Sequence, residues 1–309
     1  MPTRHEIEQE IRTKKQTAQD AVRRDYISVL ANQTGRDTIV YASAFTTPKG
    51  FNIPNIYLSI STDDVQSFMS ALNGLKGKEL DLIIHSPGGS MEATEQIVSY
   101  LRSKYNHIRA IVPLNAMSAA TMLACACDEI LMGKHSAIGP IDPQVTFPTR
   151  SGTFTAPAQA ILDEFKQAKE EVAADPKTAP LWVTKIQEYP HGLLSMCQTT
   201  LDLAKEKVGD WLDSYMFKDC DDENKKGKKI AVWLGTASNH KTHGRPINIE
   251  TARDRGLKVS YIEADQKLQD LILSCFHATM VTFQVSPCVK LVENHLGKGT
   301  YMNVEVKQG

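Results

Sequence analysis

The chain has 309 residues, and its 35 Lys and Arg against 36 Asp and Glu give a net charge of −1 at pH 7. An even balance of charge argues against a nucleic-acid-binding protein, in which basic residues are in excess. Hydrophobic residues make up 41% and charged residues 23%, which is typical of a globular protein and excludes a disordered chain.

The cysteines and the apolar segments predict a cellular compartment. The six cysteines include no C-x-x-C pair, and Cys125 and Cys127 flank one Ala in an apolar stretch, which favours buried thiols over zinc ligands. No apolar run approaches the roughly 20 residues of a membrane helix. The N-terminal residues contain no apolar segment typical of a secretory signal. We therefore expect a reduced, cytoplasmic protein with no membrane span.

The first half of the chain predicts alternating strands and helices. Residues 1–25 are highly charged and carry few large apolar groups, which predicts an exposed helix or arm. Farther on, β-branched and apolar runs predict strands, and apolar residues three and four apart predict helices. Thr62 or Asp63 is expected to cap the first of these helices. The predicted strands are 37–43, 55–60, 79–86, 107–113 and 129–133, and the predicted helices are 62–75, 90–104 and 116–127.

The second half of the chain is predicted to be mainly helical. Pro, Gly and Thr predict a loop over 140–157, and a run of charged residues predicts another over 218–229. A final unit runs from 230–235 to an amphipathic helix at the C-terminal side. The predicted helices are 158–173, 191–214 and 265–277.

The alternation of strands and helices is a βαβ series, which predicts an α/β fold with a mainly parallel sheet and helices packed on it. No internal repeat divides the chain. We expect a helical N-terminal arm at 1–37, a single core domain at 38–295 with a helical insertion around 158–214, and a C-terminal tail at 296–309.

Two unusual sequences lie at the carboxyl ends of predicted strands, where ligands bind in sheets of this kind. In HSPGG, Gly88 and Gly89 either form a tight turn or expose backbone N–H groups that bind an oxyanion or a phosphate. In NAMSAA, Ser118 is either a helix cap or a nucleophile beside the N–H of Ala119. One strand–helix–strand unit separates the two sequences, so both are expected at the same edge of the sheet.

Three segments carry a resemblance to a known family. IIHSPGGSMEATEQI, VPLNAMSAATMLACACDEILMGKHSAIGPIDPQ and HKTHGRPINIETARDRGLKV together resemble the serine dehydrogenase proteinase family. That family belongs to the superfamily of the Clp protease proteolytic subunit, signal peptide peptidase A and crotonase. The resemblance covers roughly 38–145 and 230–295. It implies a ClpP/crotonase-like β-α superhelix, a serine protease activity on a peptide or protein substrate, and a homo-oligomer.

The resemblance also implies roles for individual residues. Ser118 matches the nucleophile that forms the acyl-enzyme. Gly88 and Gly89 match the oxyanion loop, and Ala119 completes the oxyanion hole. We expect no cofactor, no metal and no nucleic-acid partner, and the absence of the G-x-x-x-x-G-K-[ST] pattern predicts that any unfolding motor is a separate chain.

The general base is open between two arrangements. In the first, Ser118, His243 and Asp142 form a Ser-His-Asp set. His243 then lies near the chain position of the acidic residue of Clp-type proteases, and Asp142 lies near the position of their histidine. In the second, Lys166 or Lys169 acts as the base of a Ser–Lys dyad, which requires a desolvated lysine. Both lysines lie on a charged helix face, and Asp163 stands where the family pattern leads us to expect a lysine.

Three further histidines and two alternative functions are compatible with the sequence. His85 precedes SPGG and either lines the site or is a satisfied structural group. The sequence around His135 gives no stronger indication of a catalytic role. His240 and His243 lack the further ligands of a metal site. The alternative functions are a crotonase-like acyl-CoA enzyme, which would share the oxyanion hole, and a catalytically inactive scaffold. Subunit contacts are expected in the N-terminal arm and around 265–295.

Overall fold

A seven-stranded, mainly parallel sheet lies at the centre of the protein. The structure is a computed structural model, which describes residue 7 and the ranges 18–50, 52–149, 152–220 and 225–304. Over these ranges the strands are β1 (Asp37–Ser43), β2 (Glu79–His85), β3 (His107–Val112), β4 (Asn115–Ala116), β5 (Glu129–Met132), β6 (Ala137–Ile138), β7 (Gln144–Thr149), β8 (Gly152–Pro157), β9 (Val259–Tyr261), β10 (Cys288–Asn294) and β11 (Gly299–Asn303).

Helices cover the sheet and form a further unit beside it. Over the same ranges they are α1 (Ala18–Thr34), α2 (Asn55–Leu58), α3 (Thr62–Leu72), α4 (Met91–Lys104), α5 (Ala119–Cys125), α6 (Ala158–Ala174), α7 (Ala179–Ile186), α8 (Leu193–Trp211), α9 (Lys226–Leu234), α10 (Ala237–His240), α11 (Ile249–Asp254) and α12 (Gln266–Val285). A π-helical turn, Leu212–Met216, continues α8.

The strand order in the sheet is β11-β10-β1-β2-β3-β5-β9. The strands from β1 to β9 in this order run parallel, and β10 is antiparallel to both β1 and β11. Parallel strands are buried on both faces, which explains the apolar run Leu82–Ile84 in β2. Leu82 and Ile84 of β2 pack in one layer and Ile83 packs in the other. The predicted α/β fold with a mainly parallel sheet is confirmed.

Two helical layers bury the faces of the sheet. One core contains Phe68 of α3 and Ile97 of α4, and the other contains Ile27 and Leu30 of α1. Because α1 packs against α12, one face of the described part of the predicted N-terminal arm is buried, whereas residues such as Asp25 and Val29 are exposed. Residues 1–6 and 8–17 of that arm lie outside the described residues.

The predicted strand at 55–60 is wrong. Asn55–Leu58 forms the short helix α2, and Pro54, at φ −57°, precedes it. Pro already has the helical φ and needs no N–H partner, so it favours a helix start at this point. Ile60 alone pairs as in a sheet, through a parallel bridge to Gly89.

The predicted loop over 140–157 is also wrong, because β7 and β8 form an antiparallel hairpin there. In β7, Val145 and Phe147 are buried while Gln144 and Thr146 are exposed. This alternation is the usual pattern of a strand, and the neighbouring Pro and Gly residues obscured it. The hairpin packs with α6 and α8 around a small core of its own.

Ends of other elements differ from the prediction by short distances. Helix α3 is capped by Ser61, not by Thr62 or Asp63, because Ser61 and Asp64 form a reciprocal capping box. Helix α9 begins at Lys226, inside the charged segment expected to be a loop.

The C-terminal part of the chain adds strands to the sheet. The helix expected at 265–277 extends to Val285, and β10 and β11 follow it. Strand β11 lies within the predicted tail, of which residues 305–309 are outside the described residues. The proposed domain boundaries stay predictions.

Candidate active site

The two loops that follow β2 and β3 are joined by backbone hydrogen bonds. Ser86 N–H donates to Asn115 O at 3.1 Å, and Met117 N–H donates to Ser86 O at 3.0 Å. The HSPGG and NAMSAA sequences therefore lie side by side at the carboxyl ends of these strands.

Ser118 occupies a strained turn at the start of α5. Its backbone has φ 52° and ψ −121°, and its side chain makes no capping hydrogen bond to the helix. A non-glycine residue at positive φ costs on the order of 1–3 kcal/mol and is concentrated at functional sites. The helix-cap interpretation of this serine is therefore not supported, and its half-buried hydroxyl stays available for chemistry.

Gly88 and Gly89 approach the backbone of neighbouring segments too closely for a side chain. A Cβ on Gly88 would lie 2.6 Å from Met117 O and 2.7 Å from the Cβ of Ser118. A Cβ on Gly89 would lie 2.4 Å from the backbone N of Ile60. Both positions also have positive φ, at 96° and 150°, so glycine is required at each for two independent reasons.

The peptide between the two glycines has a defined orientation. Its carbonyl, Gly88 O, accepts a hydrogen bond from Ile60 N–H at 2.7 Å. In a trans peptide the carbonyl and the following N–H point in opposite directions, so the Gly89 N–H points away from Ile60. The Gly88 N–H donates to Ser86 Oγ at 3.2 Å and is already satisfied.

His243 is hydrogen-bonded to Asp142, 101 residues earlier in the chain. Its Nδ1 lies 2.9 Å from Asp142 Oδ1. The carboxylate is buried, and its second oxygen accepts from Gln144 Nε2 at 2.9 Å. Because Nδ1 is held by the carboxylate, the Nε2 of His243 is the ring nitrogen left for a proton transfer.

A cavity of about 760 Å³ brings most of the predicted site residues together. Asp142 does not line it, but it lies behind His243. Within the described ranges the cavity lining contains no lysine. The predicted site residues on its wall are Gly88, Gly89, Ser118, Ala119 and His243.

The lysines proposed for a Ser–Lys dyad lie elsewhere. Lys166 is 76% exposed and its Nζ lies 3.8 Å from Glu170 Oε1, one turn along α6. Lys169 is also exposed on this helix. Neither lysine is desolvated, so the structure does not bring a lysine base to Ser118.

The sequence did not predict that residues of β7, β8 and α8 line the cavity. Thr146 of β7, Thr155 of β8 and Thr200 of α8 also line it. The alternating pattern of 144–147 was the available signal for β7. The position of α8 depends on packing with the hairpin, which no local pattern in the sequence indicates.

His85 is a neutral structural group under the site. It is buried, and Asn115 N–H donates to its Nδ1 at 3.4 Å, so Nε2 carries the proton shared with Thr46 Oγ1 at 2.9 Å. Its ring packs against Phe45 and Phe276. Burial lowers the pKa of His85 to about 3.

Two further histidines, His135 and His240, contact backbone carbonyls. His135 Nε2 lies 2.9 Å from Pro113 O, and His240 Nε2 lies 2.8 Å from Trp233 O. Among the described residues, no three His, Cys, Asp or Glu side chains are grouped as metal ligands. In the same part of the chain, none of the helices combines the length and the apolar character needed to cross a bilayer.

The fold and the site together define a protein of the ClpP type, with a βαβ core and a serine at the end of a central strand. The chain belongs to the ClpP-like SDH-type serine proteinase family, whose sequence model matches residues 11–281. The resemblance seen in the sequence motifs is thereby confirmed.

Two curated relatives come from Methanocaldococcus jannaschii. The uncharacterized protein MJ0137 is 31% identical over 216 residues, which are 68% of this chain and 63% of the relative. The uncharacterized protein MJ1495 is 30% identical over 206 residues, which are 66% of this chain and 60% of the relative. The matches thus span less than two thirds of the length of these relatives.

Two solved structures show more distant similarity. A variant of the 1510-N membrane-bound stomatin-specific protease has 15% identity and a TM-score of 0.40, with 69% of this chain and 79% of that chain covered. An enoyl-CoA hydratase from Mycobacterium avium subsp. paratuberculosis has 14% identity and a TM-score of 0.25, with 64% and 92% covered. Similarity at this level carries no argument about activity.

Proposed function

We propose that the protein is a serine peptidase that hydrolyses peptide bonds through an acyl-enzyme on Ser118. The observation that carries the proposal is the contact of His243 with Asp142 at 2.9 Å, on a ring that shares its cavity with Ser118. A serine hydroxyl needs a base within reach, and the base in turn needs a group that orients it. Family membership supports the same reaction class.

His243 is the proposed general base. With its Nδ1–H donated to Asp142, the unprotonated Nε2 accepts the hydroxyl proton of Ser118 as the oxygen attacks the carbonyl. The Asp142 carboxylate then stabilises the imidazolium that forms. Nε2 later returns the proton to the leaving amine, and water hydrolyses the acyl-enzyme by the same steps.

The N–H groups of Gly89 and Ala119 are the proposed oxyanion donors. Ala119 N–H is at the first turn of α5, next to the nucleophile. Gly88 N–H is directed to Ser86 Oγ, so we assign Gly88 the role of allowing close approach of the two loops. Donors fixed in place before the reaction stabilise the developing charge without reorganisation.

A fluorophosphonate probe tests this proposal, because it reacts only with activated serines. The wild type, Ser118→Ala and the control Ser90→Ala would be labelled and the adduct mapped by mass spectrometry. Ser90 lines the same cavity but caps α4, so it is a matched serine without a proposed role in the reaction. We expect the label on Ser118 in the wild type and in Ser90→Ala, and none in Ser118→Ala.

Absence of a label on folded wild-type protein would contradict the peptidase. Circular dichroism and gel filtration would establish folding and assembly. Hydrolysis of an acyl-CoA thioester by that unlabelled protein would then favour the crotonase-like reaction, and its absence would favour the inactive scaffold.

A further inference from the structure

A buried chain of hydrogen bonds leads from the glycine loop to an ion pair beneath it. Gly88 N–H donates to Ser86 Oγ at 3.2 Å. The Ser86 hydroxyl interacts in turn with the phenol of Tyr41. Tyr41 OH donates to Asp64 Oδ2 at 2.9 Å, and Lys290 Nζ lies 2.9 Å from Asp64 Oδ1.

The donors and acceptors in this chain have one consistent direction. Ser86 accepts from the Gly88 amide and has its single proton left for the Tyr41 oxygen. Burial, and then the charge of Asp64, raise the pKa of Tyr41 well above its ordinary value, so the phenol keeps its proton and donates it to the carboxylate. All the side chains involved are buried, so water does not compete for these bonds.

The same ion pair holds a second segment, at residues 59–61. Lys290 Nζ donates to Ser59 O at 2.8 Å. Asp64 Oδ2 accepts from Ser61 N–H at 2.9 Å. Ile60 lies between these two anchored residues, so its backbone is fixed from both sides.

Ile60 is the residue that contacts the glycine loop. Its N–H donates to Gly88 O at 2.7 Å, and its carbonyl accepts from Ser90 N–H at 2.9 Å. Gly89 therefore lies between two backbone hydrogen bonds to one residue. The two arms of the network meet at this loop, one through Ser86 and the other through Ile60.

We propose that Asp64, together with Tyr41 and Lys290, is a positioning centre that sets the orientation of the Gly88–Gly89 peptide. This inference rests on the proposed function, because its consequence is the alignment of the Gly89 N–H with the oxyanion. A buried ion pair is weak evidence of a stabilising role, since apolar replacements are often equally stable. Its contribution here is a fixed direction of one N–H group at the reaction centre.

Tyr41→Phe tests the inference, and Tyr105→Phe is its matched control. Tyr105 is also buried, and its OH donates to Asp37 Oδ2 at 3.0 Å, at the amino ends of the strands. Each variant removes one tyrosine hydroxyl that donates a hydrogen bond to a buried carboxylate. The rate of Ser118 labelling by a fluorescent fluorophosphonate would be measured for each, together with the melting temperature and the pH profile of labelling.

We expect labelling of Tyr41→Phe to be about tenfold slower, which is less than the about 100-fold loss that follows removal of an oxyanion donor. The pH midpoint of labelling should stay unchanged, because the base is intact. Tyr105→Phe should label at the wild-type rate while losing a similar amount of thermal stability.

The outcomes separate this inference from the proposed function. A wild type that is not labelled at Ser118 contradicts the peptidase itself. A labelled wild type with Tyr41→Phe as fast as Tyr105→Phe overturns the positioning centre alone. If Tyr41→Phe does not fold, Ser86→Ala breaks the next bond of the chain, and an unchanged labelling rate in that variant overturns the inference equally.

Discussion

At the amino ends of the central strands, Arg109 donates two hydrogen bonds of 2.8 Å to Asp81, and Arg102 donates to Asp128 at 2.7 Å. At the carboxyl ends, by contrast, Ser118 has a strained backbone and no capping hydrogen bond. Paired charges with satisfied bonds are typical of a structural role, whereas retained strain is typical of a functional site. The comparison favours the carboxyl ends of the central strands as the place of the proposed chemistry.

Gly88→Ala should have the largest effect on activity, because the added Cβ would lie 2.8 Å from Ala119 N as well as close to Ser118. We expect Ser118 labelling to fall below detection. Gly35→Ala is the control at the amino edge, where φ is also positive, at 68°, but no atom lies within 4 Å of the added Cβ. That variant should lose about 1–2 kcal/mol of stability and label normally; equal labelling of both variants would contradict the account.

His243→Ala should lower the labelling rate by about 10²–10⁴-fold, the usual contribution of a general base. Lys166→Ala should leave the rate unchanged, because this lysine is exposed on α6 and does not line the cavity. Labelling rates of the two variants at several pH values provide the measurement. The reverse result would establish a Ser–Lys dyad in place of the histidine.

His85, at the carboxyl end of β2, and Asp128, at the amino end of β5, should make the free energy of unfolding depend on pH in different ranges. His85 has a pKa of about 3 when folded and about 6.5 when unfolded, so the unfolded state binds the extra proton and stability falls as the pH drops below about 6.5. Burial raises the pKa of Asp128, but the hydrogen bond from Ile108 N–H and the contact with Arg102 lower it more. The stability that Asp128 contributes is therefore lost only at lower pH, below about 4.

Urea unfolding at pH 6.5 and pH 5 checks this difference. His85→Gln should remove about 1–2 kcal/mol of the stability loss over that interval, while Asp128→Asn should retain the loss. A wild-type pH slope that survives in His85→Gln would show that another group titrates there.

Ser118→Gly should have the smallest effect, a gain of about 1 kcal/mol in the free energy of unfolding. Glycine relieves the strain at φ 52°, and part of the gain is offset by its greater freedom when unfolded. Ser118→Ala keeps the Cβ and should show no such gain. Equal free energies of unfolding of the two variants would contradict backbone strain at position 118.

The parts of the site that depend on local sequence were predictable. Gly88, Gly89 and Ser118 follow central strands directly, so the βαβ pattern places them at one edge. The pairing of Asp142 with His243 was predicted only as one alternative, through the family resemblance. The family is confirmed, whereas the roles of these residues stay proposals.

Other parts could not be read from the sequence for physical reasons. Lys290 and Asp64 are 226 residues apart, and their contact exists only because β10 pairs antiparallel with β1. The segment 55–60 has the apolar composition of a strand. The Pro that favours a helix there lies one residue before the segment, at position 54. Burial of α1 depends on α12, which forms at the other end of the chain.

The most direct test of the account is a crystal structure of the fluorophosphonate adduct. We predict phosphorus bonded to Ser118 Oγ, with the phosphonyl oxygen about 2.7–3.1 Å from both Gly89 N and Ala119 N and with His243 Nε2 facing the adduct. An oxygen directed to other groups, or a His243 ring turned away from Ser118, would contradict it.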